Sequence, residues 1–268
     1  MAEKDRLDNI LVNRGITESR ERARGIILAG KILVNEKHCD KPGTKFSPDV
    51  VIRCLGNDLP YVSRGGLKLE KAVQIFNLKL QDKKVLDIGA STGGFTDCAL
   101  QNGAAHVIAL DVGYGQLAWK LRNDPRVRVI ERTNIRYFNR EQLPELVDII
   151  TCDVSFISLS LVLPVIPGLL KPGGEAVLLI KPQFEAGKER VGKRGVVKDP
   201  EVHFEVINKV LAGAAEQGLS AQGLSYSPIK GPEGNIEYLL YLLYTEPKGL
   251  IGENEVKQTI NQAIFDLG

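Results

Sequence analysis

At 268 residues, 43% hydrophobic and 25% charged, the chain has the size and balance of a soluble globular protein with room for one large domain and one small one. Its formal net charge of +2 carries no global signal for a polyanionic partner, but residues 1–60 hold 11 Lys and Arg against 9 Asp and Glu while the remainder holds 24 of each. Four cysteines and three histidines are scattered too widely for a disulfide framework or zinc-ligand spacing, so no metal is expected.

The opening Met1-Ala-Glu-Lys-Asp-Arg6 is charged and leads into no apolar signal-peptide core. Leu7, Ile10, Leu11 and Ile16 fall on one face of a helix that Gly15 closes, and Thr17, Glu18 and Ser19 cap a second helix over 20–28. Gly30-Lys31 turns into a strand over 32–35, and a further strand over 50–53 follows the turn at Pro42-Gly43. The product is a small α+β unit, marginal but adequate as an independent core. Arg20, Arg24 and Lys31 project from the second helix and its following turn, with Arg14 ending the first, which gives a cationic face suited to phosphates. A solvated face balanced by Glu18 and Glu21 is the plainer alternative. Three segments, Arg6-Leu7-Asp8, Ser19-Arg20-Glu21-Arg22-Ala23 and Gly30-Lys31-Ile32-Leu33-Val34-Asn35, resemble the S4 RNA-binding domain. That resemblance implies RNA contacts at Arg6, Arg14, Arg20, Arg24 and Lys31.

The turn-rich stretch 55–60 reads as a linker, which makes 1–59 the front domain with its linker and 60–268 the second domain. Residues 61–73 form a helix leading into the stretch around which the second domain is organised, Lys84-Lys-Val-Leu-Asp-Ile-Gly-Ala-Ser-Thr-Gly-Gly-Phe-Thr96. It reads as a buried strand (85–88), a glycine turn (89–94) and a helix opening at Phe95. Glycines let the backbone approach a ligand, and the first N–H groups of the helix are unpaired donors. The spacing is neither the G-x-G-x-x-G of a dinucleotide turn nor a Walker loop, and the acid, Asp87, precedes the turn. An acid at the strand end suits a ligand with an ammonium group, such as the methionine part of S-adenosylmethionine. The turn resembles motif I of the class I methyltransferases.

From Val85 onward, strands at 85–88, 106–111, 127–131, 147–153, 175–181 and 236–245 alternate with helices at 93–102, 115–122, 159–170 and 200–217. This is the pattern of a Rossmann-like, parallel, doubly wound α/β sheet, whose ligands lie at the carboxyl ends of the strands. The apolar run 159–170 contains Pro164 and Pro167 and falls short of the ~20 residues that span a bilayer. Strand ends present Asp87, Asp111, Asp153 and Lys181. Asp111 is placed to accept hydrogen bonds from ribose hydroxyls, and Asn134, just past the third strand, to meet an adenine edge.

Lys68, Asp153, Lys181 and Glu237, in that order, resemble the tetrad of the FtsJ-like RNA ribose 2′-O-methyltransferases. With the front domain included, nearly the whole chain resembles the TlyA family, also named hemolysin A. The segments that carry this are Ser63-Arg64-Gly65-Gly66-x-Lys68, Asp87-x-Gly89-x-Ser91-Thr92-Gly93-Gly94-Phe95, Lys181-Pro182-Gln183-Phe184-Glu185 and Gly195-Val196-Val197-Lys198-Asp199. The resemblance implies a class I S-adenosylmethionine-dependent methyltransferase domain behind an S4-like domain. Its substrate would be the cytidine ribose of ribosomal RNA, free or in ribosomal subunits, in the cytoplasm. It also implies cofactor contacts at Ser63, Asp87, Gly89, Ser91, Gly93, Gly94, Asp111 and Asn134. A ribose hydroxyl is a poor nucleophile, so Lys181 is expected as base or alkoxide stabiliser, Asp153 and Glu237 as its orienters, and Lys68 as the group that positions the RNA hydroxyl. Taken singly, each has a plainer reading as a turn cap, a snorkelling lysine or an exposed strand residue.

Residues 184–194 lack apolar periodicity and read as a mobile basic loop that contacts RNA. Residues 238–244 read as a strand buried on both faces, and 254–267 as a closing amphipathic helix. Two rival readings remain. A membrane-lytic protein would need a spanning segment or a strongly amphipathic cationic helix, and the sequence shows neither. An RNA-binding protein with a silent methyltransferase fold is opposed by the intact turn and tetrad.

Overall fold

The computed structural model describes residues 4–17, 19–28, 30–35, 37–54, 60–245 and 251–268. The chain divides into two compact units, 1–59 and 60–268. All but Pro60 of the expected linker over 55–60, and Glu18 with its expected capping role, lie outside the described residues.

The front unit runs β1 (Asp5–Arg6), α1 (Leu7–Asn13), α2 (Arg20–Leu28), β2 (Ile32–Val34), β3 (Lys37–His38), β4 (Lys45–Phe46) and β5 (Ile52–Cys54). β2 pairs antiparallel with β3 and β5, and β1 with β4. Four-residue spacing puts Leu7 and Leu11 of α1 against Ala23 and Ile27 of α2, and Ile32 and Val34 close the core from β2. Ser19 Oγ accepts from the Arg22 N–H at 3.2 Å and caps α2.

Acidic Asp8 organises the arginines of this unit. Fully buried, it accepts from Arg6 Nε and Nη2, each at 2.9 Å, and lies 3.5 Å from Arg20 Nη2. The Arg6 guanidinium holds the Asp8 carboxyl below the usual carboxylate range, against the opposing push of burial. Both arginines stay substantially exposed, at 42% and 59%, so the pairing orients them without hiding them. Arg24 is exposed on α2. Arg14 is exposed as well, and its guanidinium donates to the carbonyls of Pro48 and Val50 and ties the end of α1 to the loop before β5.

The second unit contains α3 (Gly65–Phe76), β6 (Lys84–Ile88), α4 (Gly94–Gln101), β7 (His106–Leu110), α5 (Trp119–Arg122), β8 (Val127–Ile130), β9 (Val147–Cys152), β10 (Leu170–Ile180), α6 (Pro182–Glu185), α7 (Pro200–Glu216), β11 (Leu219–Tyr226), β12 (Tyr238–Tyr244) and α8 (Glu253–Leu267). One seven-stranded sheet runs β11-β12-β10-β9-β6-β7-β8. Alternation decides its two faces. Val85, Val107, Ile149 and Val177 point toward α3 and α4, where Leu69, Ala72, Phe95 and Cys98 meet them. Leu86, Ile108, Ile150 and Leu178 point the other way, toward Val206 and Ile207 of α7 and Val256 and Ile260 of α8. Helices thus cover both faces, as the doubly wound reading requires.

Four features of this unit differ from expectation. The sheet is mixed: β12 lies between β10 and β11 and is antiparallel to both, so only its other strand pairings are parallel. The predicted helix over 159–170 is instead two 3-10 segments, Leu159–Leu161 and Leu163–Gly168, because Pro164 and Pro167 each remove a backbone donor. The predicted helix over 115–122 contracts to α5, and β11 was not anticipated.

The chain runs outward from β6 through β7 to β8, then returns to the opposite side of β6 for β9. A crevice therefore opens at the carboxyl ends of β6 and β9, where such folds hold ligands. Antiparallel β12 adds to it from the opposite direction: Ile180 pairs with Tyr238, so Lys181 leaving β10 and Glu237 entering β12 stand at the same edge.

Candidate active site

The glycine turn is tightest where β6 meets β9. Gly89 sits at φ +82, and a Cβ there would lie 2.7 Å from the Asp153 carbonyl, which sets the close approach of the two strand ends. Gly89→Ala is expected to cost about 1–3 kcal/mol of stability and to impair cofactor binding, checked by denaturant melts and by S-adenosylmethionine titration. Gly94 likewise brings the start of α4 against that of α3, since its Cβ would fall 2.4 Å from Ser63 Oγ.

Two adjoining cavities occupy the crevice. The first, about 410 Å³, is bounded by Ser63, Arg64, Gly65 and the turn from Gly89 to Phe95, and by Lys68, Asp153, Lys181 and Glu237. The second, about 510 Å³, has Asp111, Gln116, Thr133 and Asn134 at its polar side and Ile135, Val154 and Ile157 at its apolar side. Gly89, Ser91, Asp153 and Ser155 wall both.

The four titratable side chains that the sequence reading grouped meet in the first cavity. Lys68 Nζ lies 2.8 Å from Glu237 Oε2 and 3.0 Å from Asp153 Oδ2, and Lys181 Nζ lies 2.5 Å from Asp153 Oδ1. Lys181 also donates to Ser155 Oγ at 2.9 Å. All four are largely shielded, Glu237 most of all at 1%. Burial pulls Lys68 down, but Asp153 and Glu237 together outweigh it and hold the amine above its ordinary value. Burial pushes Asp153 up, and the charges of Lys68 and Lys181 outweigh that in turn, so it lies below the usual carboxylate range.

This geometry corrects one expected pairing. Glu237 pairs with Lys68 and not with Lys181, so the orienters of Lys181 are Asp153 and Ser155. Lys68 is held between the two carboxylates and bridges them.

Among the expected cofactor residues, Ser63, Gly89, Ser91 and Gly94 wall the first cavity. Asp111 and Asn134 wall the second. Asp111 is braced by the Ser91 N–H at 2.7 Å and the Gly113 N–H at 2.6 Å. Asn134 spends its carbonyl oxygen on the Arg136 N–H. Asp87 does not reach a cavity. Its carboxyl is 1% exposed beneath the turn, accepts from Thr96 Oγ1 at 2.6 Å and Thr151 Oγ1 at 3.0 Å, and is pushed up to about 6 by burial. It therefore ties β6 to α4 and β9 beneath the turn and lines neither cavity. Gly93 is also structural: at φ +96, it leaves room for Leu117 and Leu121.

Ser155, Arg64 and Gln116, with the loop over 229–232 that also walls the first cavity, were not expected from the sequence. For Ser155 a signal existed, since it follows Asp153 by two residues at a strand end. Phe156, next in line, is 90% exposed at φ +64, with its ring 5.1 Å from that of Phe184. The basic segment expected to be mobile begins with α6 and a 3-10 turn over Lys188–Arg190.

Residues 61–244 match the FtsJ-like methyltransferase family, and residues 5–52 match the S4 domain. The chain belongs to the FtsJ-like methyltransferase family. Within it, this FtsJ-like protein is 43% identical over 267 residues, 99% of both chains, to the 16S/23S rRNA (cytidine-2'-O)-methyltransferase TlyA of Mycobacterium tuberculosis. It is 54% identical over 242 residues to YqxC of Bacillus subtilis, covering 90% of this chain and 86% of the other. A solved structure of a hemolysin-like protein from Streptococcus thermophilus is 44% identical with a TM-score of 0.79, covering 99% of this chain and 98% of that one. The crevice fits the family's S-adenosylmethionine: a glycine turn for close backbone approach, a carboxylate at the rim for ribose hydroxyls, and apolar walls for a flat base.

Proposed function

We propose that this protein is an S-adenosylmethionine-dependent ribose 2′-O-methyltransferase acting on cytidine in ribosomal RNA, with the ribosomal subunit or its RNA as partner and the cytoplasm as its location. The observation that carries the reading is the meeting of Lys68, Asp153, Lys181 and Glu237 beside the glycine turn. When bound, the cofactor supplies an electrophilic methyl group on a sulfonium. The protein's part is to present a sugar oxygen to it along one line and to lower the cost of charge building on that oxygen. Lys181 is the amine for that task, because the residue lines the cavity while Asp153 and Ser155 fix the direction of its Nζ. Asp111 and Asn134 hold the ribose and base ends of the cofactor. Exposed Phe156 offers an aromatic face to a splayed nucleobase, as single-stranded RNA recognition commonly uses. Arg6 and Arg20, oriented by Asp8, supply phosphate contacts from the front unit, with Arg24 beside them.

Mapping of 2′-O-methyl groups on ribosomal RNA from cells with and without the protein tests this. Loss of a methylated cytidine, restored by the wild-type gene and not by Lys181→Ala, is expected; an unchanged map would overturn the reading. The hemolysin title of the relative gains nothing from the described residues, in which no helix is long and apolar enough to cross a membrane.

A further inference from the structure

Asn235 has no exposed surface, and the chemistry proposed above makes no use of it. A buried side-chain amide needs partners for its carbonyl and for its NH2. It finds both on a segment remote in sequence: the Val197 N–H donates to Oδ1 at 3.0 Å, and Nδ2 donates to the Gly195 carbonyl at 2.8 Å.

Val197 is gripped from its other side as well. His203 on α7, 2% exposed, places Nε2 3.0 Å from the Val197 carbonyl and Nδ1 2.5 Å from the Tyr238 hydroxyl. A carbonyl only accepts, so Nε2 carries the hydrogen and Nδ1 accepts from Tyr238. Burial holds the His203 ring below its ordinary value, in keeping with a neutral imidazole.

Both grips end beside Glu237, with Asn235 two residues before it and Tyr238 one after. Glu237 is enclosed there: the Ser227 N–H donates to its carbonyl at 2.8 Å, the Gly231 N–H donates to the Asn235 carbonyl at 2.9 Å, and a Cβ on Gly231 would fall 2.7 Å from Glu237 Oε1. At the far end of the same bonds stands a cationic basin of about 580 Å³, walled by Arg190, Lys193, Arg194 and Lys198 with Glu233 and Gly234. Gly195 and Val197 belong to the segment that carries these cations.

We propose that Asn235 and His203 are positioning residues that lock the cationic segment 190–198 to the start of β12, so that the place of Glu237 beside Lys68 depends on the place of that segment. Neither side chain lines the two cavities of the crevice, so each acts through Glu237 and not on the reacting atoms. The inference rests on the reading of Glu237 as a member of the catalytic set. A polyanion seated on the segment would press on the same bonds, which links substrate docking to the alignment of the tetrad.

The test compares wild type, Asn235→Ala, His203→Gln, Glu237→Gln and the Asn235→Ala/Glu237→Gln double variant. The readouts are single-turnover methyl transfer, S-adenosylmethionine titration and amide hydrogen exchange. Asn235→Ala is expected to speed exchange at the Val197 amide, leave cofactor affinity unchanged and slow transfer by about 10²-fold, the usual loss for a misplacement near 1 Å. In the Glu237→Gln background the same change should slow nothing further, because an effect exerted through that carboxylate has nothing left to act on. His203→Gln, which keeps an N–H for the Val197 carbonyl, should retain most of the rate.

A purely structural role would lower the melting temperature and leave the rate per folded molecule intact, and an independent role would multiply the two losses; either outcome overturns the proposal. Should Asn235→Ala fail to fold, Tyr238→Phe, which removes only a hydroxyl, supplies the same comparison. A wild-type protein that methylates no RNA would remove the catalytic reading itself, a different result from an active wild type whose rate ignores Asn235.

Discussion

Lys181→Ala is expected to slow methyl transfer to ribosomal RNA by about 10²–10³-fold while leaving the affinities for cofactor and RNA near their wild-type values. The reason is positional. Lys181 lines the first cavity, and its charge matters most when negative charge has built up on the attacking oxygen, so its loss falls on the chemical step. Stability should change little, since Asp153 keeps Lys68 at 3.0 Å. Lys181→Arg should not restore the rate, because a planar fork cannot occupy the place of a point charge between Asp153 and Ser155. Single-turnover assays on isolated ribosomal RNA or subunits decide this, and a Lys181→Ala enzyme that works at the wild-type rate would sink the assignment.

Lys68→Ala is expected to act on the fold first. The amine is the counter-charge for Glu237, which is 1% exposed, and removal of one partner of a buried pair typically costs about 3–5 kcal/mol. In a unit of this size that lowers the melting temperature by roughly 6–20 °C. The pH dependence has two edges. The carboxyl of Asp153 lies below its ordinary value in the fold, so its contribution is present above the unfolded pKa of about 3.9 and disappears as pH falls through the folded one. Lys68 lies above its ordinary value, so its contribution is complete below about pH 10.4 and disappears as pH rises through the folded pKa. The gap between wild type and variant should therefore be widest between about pH 4 and 10 and narrow beyond either limit. Pairing Lys68→Met with Glu237→Leu should recover much of the stability and none of the activity, because apolar side chains of similar volume can replace a buried ion pair in packing but not in chemistry. Thermal melts across pH check the first claim, and the double variant's rate checks the second.

Several features of the site were readable before any coordinates because they depend on local order. The turn from Gly89 to Gly94 announces itself by glycines after an apolar strand, and charged residues where strands should end are conspicuous when the strand interior is continuous Val, Leu and Ile. The partner of each charge was not readable. Whether Glu237 faces Lys68 or Lys181 depends on the register between β10 and β12 and on where α3 crosses the sheet, and neither is encoded within a short window. The same holds for Asp87: it sits at the expected position, but Thr96 and Thr151 take up both of its oxygens from elements that follow it in the chain. That Arg14, though exposed, also holds the loop carrying Pro48 and Val50 was hidden until that loop folded back upon it. The helix expected over 159–170 failed on local grounds, since its apolar spacing was read over two prolines that forbid the α form. β11 escaped notice because its short alternation, Leu219 and Ala221 and then Leu224 and Tyr226, changes phase at the register shift between Ala221 and Gly223 in its pairing with β12.

β12 runs against its neighbours, so it is the residue entering this strand, not one leaving it, that completes the ring of charges around Lys68. Glu237 is 169 residues downstream of its partner. At synthesis rates of about 5–20 residues per second, a growing chain passes roughly 10–30 seconds in which the lysine and the glycine turn already exist and their last counter-ion does not. A half-made copy therefore lacks the second carboxylate partner of Lys68 until translation is nearly over.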